Sequence, residues 1–161
     1  MVKQNWRYLL FLIGSHHPPG RLHRTICVGF RGKNVYLCSR CTGTSLGIIG
    51  VFVANALGMS FPIEFYLPLI SFLPVVAAVD WFTQSAKLRE SKNSIRVGSG
   101  FLLGISEGLF LLLIINGFLL MFLVSFTVIL VYAFSIYLVA AKTKCLDSYL
   151  YEINQIQNKS D

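Results

Sequence analysis

Between residues 97 and 141 this chain carries a single charged side chain, Glu107. No other feature limits its fold as strongly. At about 1.5 Å per residue, one helix of that length would be roughly twice as long as a bilayer core is thick. Two membrane helices are therefore expected, about 97–115 and 118–141, with Asn116-Gly117 as the turn between them. Upstream, residues 42–63 form an uncharged run of 22 residues, enough for a first crossing. The run from about 65 to 82 is interrupted by Pro68 and Pro74 and bears Asp80 near its far end, which predicts a second, kinked crossing. The expected fold is all-α, a multi-pass transmembrane bundle of about four helices.

Composition agrees with that reading, since 55% of the 161 residues are hydrophobic and only 13% charged, far more apolar than a soluble domain of this size requires. The net charge of +7 acquires meaning only once the charges are located. Lys3, Arg7, Arg21, Arg24, Arg31, Lys33 and Arg40 fall in the first 42 residues with no acid among them, and Lys87, Arg89, Lys92 and Arg96 form a second cluster. With four crossings, these segments and the tail from Lys142 share one side. The positive-inside rule makes that side cytoplasmic.

The chain is accordingly read as a basic cytosolic arm (1–42), a four-helix transmembrane domain (43–141) and a cytosolic tail (142–161), in which 147–153 suggests a short amphipathic helix. The apolar run 8–13 is short and leads into Ser15-His16-His17-Pro18-Pro19 rather than a small-residue cleavage site, so no removable signal peptide is expected. Basic residues without an aromatic stacking platform argue against nucleic acid as a partner. Anionic lipid head groups are the expected partner instead, at about 1 kcal/mol per Lys or Arg. Gly100, Gly104 and Gly108, and likewise Gly43 and Gly47, recur every four residues, the spacing that lets helix backbones approach closely.

Cys38-Ser39-Arg40-Cys41 places two thiols at the spacing that reaches one metal ion, and a cytosolic C-x-x-C points to metal or redox chemistry rather than a structural disulfide. Apolar residues 26–30 and 35–37 flank Arg31-Gly32-Lys33-Asn34, a hairpin pattern of the kind that builds zinc knuckles. Zinc requires about four ligands, or three and a water. His16, His17, His23 and Cys27 are the nearby candidates, with His16, Cys38 and Cys41 as the favoured set; reduced, unliganded cysteines are the plainer alternative. Asp80 and Gln84 are one helical turn apart on one face, where the acid serves either as a functional group or as a salt-bridge partner of Arg40 or Arg96. Glu107 falls near mid-depth, where an ionisable group is a functional candidate by default.

His16, Pro19 and Arg21, then Cys38-Ser39-Arg40-Cys41-Thr42-Gly43, Asp80, Gln84, Glu90-Ser91-Lys92-Asn93, Arg96 and Gly100 together resemble the membrane-protein family catalogued as domain of unknown function 2085. The likeness runs over about residues 15–108. In that family a cysteine commonly precedes the histidine, whereas here the position is Ser15, which removes one thiolate from a four-ligand site. The resemblance implies architecture and a site, not a reaction.

Three functions compete on these residues. In the first, zinc on His16, Cys38 and Cys41 activates a water, Asp80 or Glu107 handles protons, and Arg21, Arg40, Gln84 and Arg96 grip a phosphate or lipid head group. In the second, the knuckle staples the arm to the bundle, and the protein is a scaffold or subunit of a membrane complex, or a homo-oligomer. The third is a small transporter centred on Glu107.

Overall fold

The structure is a computed structural model that describes residues 14–15, 19–30, 33–59, 61–86 and 88–143. A 3-10 turn, Pro19–Arg24, leads into an antiparallel hairpin of β1 (Thr25–Phe30) and β2 (Lys33–Cys38). Four helices follow: α1 (Ser39–Ala56), α2 (Tyr66–Ser85), α3 (Asn93–Ile115) and α4 (Leu119–Thr143). The expected hairpin is present, paired from Thr25 opposite Cys38 to Phe30 opposite Lys33. The tail helix expected over 147–153 lies outside the described residues.

Helix ends depart from the expected ones where a charged residue lies inside the helix rather than at its boundary. α1 begins at Ser39, includes Arg40 and stops at Ala56, because Gly58 at φ 75° turns the chain there and Pro62 follows. α3 begins at Asn93, so Arg96 lies inside it. The turn at Asn116-Gly117 stands as expected, with Gly117 at φ 73°, a conformation glycine adopts without a Cβ penalty.

Three stretches, Ile63–Ser85, Asn93–Ile115 and Leu119–Lys142, are long and apolar enough to cross a membrane. α1, with 18 residues, is not among them, yet it lies alongside α3. The two run parallel, with Arg40 beside Gly100, Thr44 beside Gly104 and Val51 beside Gly108. Large apolar side chains such as Phe72, Leu120, Val131 and Phe134 point outward, as a lipid solvent permits.

α3 is the hub, packing most extensively on α1, then on α2, and only slightly on α4. Its contact with α1 depends on glycine. A Cβ on Gly104 would overlap the carbonyl oxygen of Thr44, one on Gly100 that of Arg40, and one on Gly43 that of Val97. At the end of the bundle away from the hairpin, Val51, Tyr66, Ile70, Leu109, Leu112 and Leu113 form the buried core.

Pro68 stands in the first turn of α2, where no helical hydrogen bond is lost, but Pro74 is interior. Having no N–H, Pro74 leaves the Ile70 carbonyl without its helical donor. Ser106 Oγ of α3 donates to that oxygen at 3.1 Å, and Tyr132 of α4 donates its hydroxyl to the next carbonyl, Ser71. The interrupted helix is thus satisfied by its neighbours, as the absence of water in a bilayer core demands.

Gly104→Ala is expected to destabilise the detergent-solubilised protein by roughly 1–3 kcal/mol or more through overpacking. Gly98→Ala, with nothing within 4 Å of its new methyl, should be neutral or stabilising by up to about 1 kcal/mol. Unfolding in graded SDS, followed by circular dichroism, compares the two; equal midpoints would remove the glycine contact as the basis of the α1–α3 interface.

Candidate functional site

Polar side chains gather at the end of the bundle that bears the hairpin. The centre is Asp80 of α2, 2% exposed. Arg40, in the first turn of α1, pairs with its Oδ2. Arg89, in the α2–α3 loop, donates from Nη2 to Oδ1 at 3.1 Å and from Nε to Thr83 Oγ1 at 3.2 Å. Gln84, one turn beyond Asp80, donates from Nε2 to Oδ2 at 2.9 Å and accepts from Arg96 Nη2 at 2.8 Å through Oε1. Since a carboxylate only accepts and a guanidinium only donates, the Gln84 amide has one usable orientation and joins Arg96 to the network.

Arg40, Asp80, Gln84 and Arg96, singled out from sequence, therefore meet. Of the two salt-bridge partners expected for Asp80, Arg40 is direct and Arg96 is reached through Gln84. Arg89 was not among the expected site residues; its only signal was a place in the basic loop next to Glu90-Ser91-Lys92-Asn93. Both oxygens of Asp80 accept from guanidinium groups, which makes it an anchor for cations.

Positive charge is in excess here. Arg96 is 3% exposed and its side chain forms no ion pair among the described residues; its contact is the Gln84 amide. Arg24 and Arg40 are close enough to repel it, and Asp80 and Glu90 close enough to offset part of that repulsion. The Nε atoms of both Arg40 and Arg96 are buried with no hydrogen-bond partner among the described residues. A buried cation of this kind carries a large desolvation cost unless an anion completes it.

The hairpin is tied to the same end of the bundle. Ser39 Oγ donates to the Arg24 carbonyl at 3.0 Å, and Asn93 Nδ2 to the Thr25 carbonyl at 3.3 Å. His23 Nε2 lies 2.7 Å and Arg24 Nη2 3.2 Å from Glu90 Oε1. Because the carboxylate only accepts, His23 Nε2 carries the proton. The 3.4 Å approach of Arg24 Nε to that nitrogen is then a contact rather than a hydrogen bond.

The thiols of Cys38, buried at the end of β2, and Cys41, exposed on the first turn of α1, touch each other. Cys27 is exposed and stands opposite Tyr36, two rungs from Cys38. Among the described residues, no three of His, Cys, Asp and Glu form a group able to hold a metal ion. His16 and His17 lie outside the described residues, as does the side chain of Arg21. Glu107 lies apart from the cluster, on the wall of a cavity of about 270 Å³ between α2, α3 and α4 that Arg40 also lines.

Glu90 supplies a pH dependence. Hydrogen bonding to His23, and then to Arg24, holds its carboxyl below the ordinary value of 4.5. A folded value below the unfolded one stabilises fully above about 4.5, and that contribution is lost as pH falls through the folded value. The thermal midpoint of the wild type in detergent should drop across that acidic window, and Glu90→Gln should start lower at neutral pH and show a flatter profile. Parallel profiles would mean that Glu90 carries none of this dependence.

Two relatives extend the picture. An uncharacterized protein of Methanothermobacter thermautotrophicus is 33% identical over 108 residues, covering 65% of this chain and 86% of that protein. An uncharacterized protein of Methanocaldococcus jannaschii is 34% identical over 88 residues, covering 52% of this chain and 54%, about half, of that protein. No solved structure matches the chain. Residues 21–110, which hold the hairpin, α1, α2, most of α3 and every member of the Asp80 cluster, match the family described as "Predicted membrane protein (DUF2085)", and the chain belongs to that family.

Proposed function

We propose that this membrane protein binds the phosphate-bearing head group of an anionic amphiphile on Arg40, Arg89 and Arg96, at the cytoplasmic edge of the bilayer. One observation carries the reading: the guanidinium groups of Arg40 and Arg89 pair with a single carboxylate, that of Arg96 joins it through Gln84, and Arg40 and Arg96 keep buried Nε donors without partners among the described residues. Guanidinium groups match phosphate geometry and hold it through paired, charge-assisted hydrogen bonds. The cytoplasmic placement, with both termini on that side, is supported by the confinement of Lys and Arg to the segments at this end. Asp80 and Gln84 act as positioning residues that hold the guanidinium groups in place.

Arg89 is the member to remove, because its side chain is 42% exposed and tolerates change. Arg89→Gln should weaken binding of phosphatidic acid in phosphatidylcholine nanodiscs about tenfold, the size expected for one charge-assisted hydrogen bond. Lys92→Gln, which removes the same charge from an exposed neighbour, should change it far less. Equal losses in both variants would reduce the site to diffuse surface charge, and no binding by the wild type would end the proposal.

A zinc site is the second reading, on which the same protein would be a metal-dependent enzyme acting on the bound head group. The contact between the Cys38 and Cys41 thiols supports it. So does Gly14, two residues before His16, where an added Cβ would lie 3.3 Å from the Tyr36 carbonyl oxygen on β2. On this reading the purified protein holds about one zinc per chain, with three protein ligands and an open position, and Cys38→Ser/Cys41→Ser loses it. Metal analysis finding none in the wild type would remove zinc and the chemistry assigned to it.

A further inference from the structure

The cavity between α2, α3 and α4 has almost entirely apolar walls, among them Ala77, Ala78, Trp81, Leu103 and Ile129. Its polar linings are few. Ser106 and Tyr132 already donate to the carbonyls of Ile70 and Ser71. Arg40 lines the end at the ionic cluster, and Glu107 lines it deeper in the bundle. A second cavity of about 190 Å³ shares Ala78, Trp81, Tyr132 and Ile136 with the first, and reaches Phe82 and Val139. The two adjoin along the α2–α4 seam, from the Arg40 end to mid-depth. Together they fall within the roughly 300–1,000 Å³ of ordinary ligand sites.

Gly100 abuts Arg40, and Glu107 is seven residues further along α3, about 10 Å of helix. Its side chain leans toward the helix N-terminus, back toward Arg40. The Glu107 carboxyl has no hydrogen-bond or ionic partner among the described residues. A carboxyl at that depth is costly unless something completes it. A cavity with apolar walls, in a bundle of membrane helices, suits a lipid chain.

We infer that the cavity holds a hydrocarbon chain of a phosphate-headed membrane lipid, whose head group rests on the arginine cluster and whose linkage oxygen between head and chain accepts a hydrogen bond from the protonated carboxyl of Glu107. This rests on the head-group reading above and adds the lipid's chain and linkage to it. Three features select such a molecule. The anion-seeking end lies at the membrane edge, the apolar walls lie below it, and the Glu107 carboxyl, a donor when protonated, lies deeper along the same lining. A proton or ion path would need further polar groups along the walls, and beyond Arg40, Glu107 and the hydroxyls of Ser106 and Tyr132 the lining of this cavity among the described residues is apolar.

Native mass spectrometry of the delipidated protein tests this, with dioleoyl phosphatidic acid and chain-free glycerophosphate as probes. The wild type should take up one phosphatidic acid and bind glycerophosphate more weakly. Ala78→Phe, which fills the cavity, should lose at least tenfold in phosphatidic acid affinity while binding glycerophosphate as the wild type does. Glu107→Leu should lose roughly two- to tenfold for the lipid, the worth of one hydrogen bond, and Glu107→Gln, which keeps an N–H donor, should lose less. If both Ala78→Phe and Glu107→Leu bind phosphatidic acid like the wild type while Arg89→Gln is impaired, the chain site is wrong and the head-group site stands. If the wild type binds neither probe, the head-group site itself is wrong, and this inference falls with it.

Discussion

A carboxylate sealed at the edge of a bilayer is tolerable only when cations hold it, and Asp80 is held by Arg40 from α1 and Arg89 from the α2–α3 loop. Each partner comes from a different segment, so one buried acid closes the basic end of the bundle. The low dielectric works in both directions here. It strengthens the pairs around Asp80, and it makes costly the Arg96 guanidinium, whose contact is the Gln84 amide, and the Nε atoms of Arg40 and Arg96, which have no hydrogen-bond partner among the described residues. Fixing Asp80 therefore leaves a surplus of positive charge beside it, already desolvated and held in position.

Away from that end, the bundle obeys the rule that polar backbone in lipid must find partners inside the protein. Pro74 interrupts α2, and Ser106 and Tyr132, from two other helices, take up the carbonyls at the break. Those bonds draw α3 and α4 toward α2 in the middle of the bundle, where most side chains facing the space between them are apolar and Glu107 is an exception. The glycines of α1 and α3 fix the opposite side of α3 with no room to spare. The bundle is consequently tight along α1–α3 and open along α2–α4, and the open seam leads to the arginine cluster.

Most of the architecture could be read from the residues. The uncharged runs marked the helices, Asn116-Gly117 marked the turn between the last two, and the apolar pairs around Arg31-Gly32 marked the hairpin, because each rests on local physics. Helix starts were less legible. Arg40 and Arg96 looked like boundaries, since a charge in hydrocarbon is costly, yet both lie within helices because partners across the bundle neutralise or hydrogen-bond them. The site was legible in part. Arg40, Asp80, Gln84 and Arg96 stood out as polar residues at membrane edges, whereas Arg89 looked like any other loop cation.

The order of apolar runs and the confinement of every Lys and Arg to three segments between or beside them mark this, without coordinates, as a multi-pass membrane protein. Transfer free energies of side chains depend on composition and length, which a linear chain displays directly. Which cations meet Asp80, and that Glu107 faces an apolar cavity rather than the cluster, depend on how α3 sits between α1 and α2. That geometry arises from contacts between residues up to about 60 positions apart, as when Ser106 reaches Ile70 and Tyr132 reaches Ser71. Spacing along the sequence holds no information about such distances, so only the folded bundle could supply them.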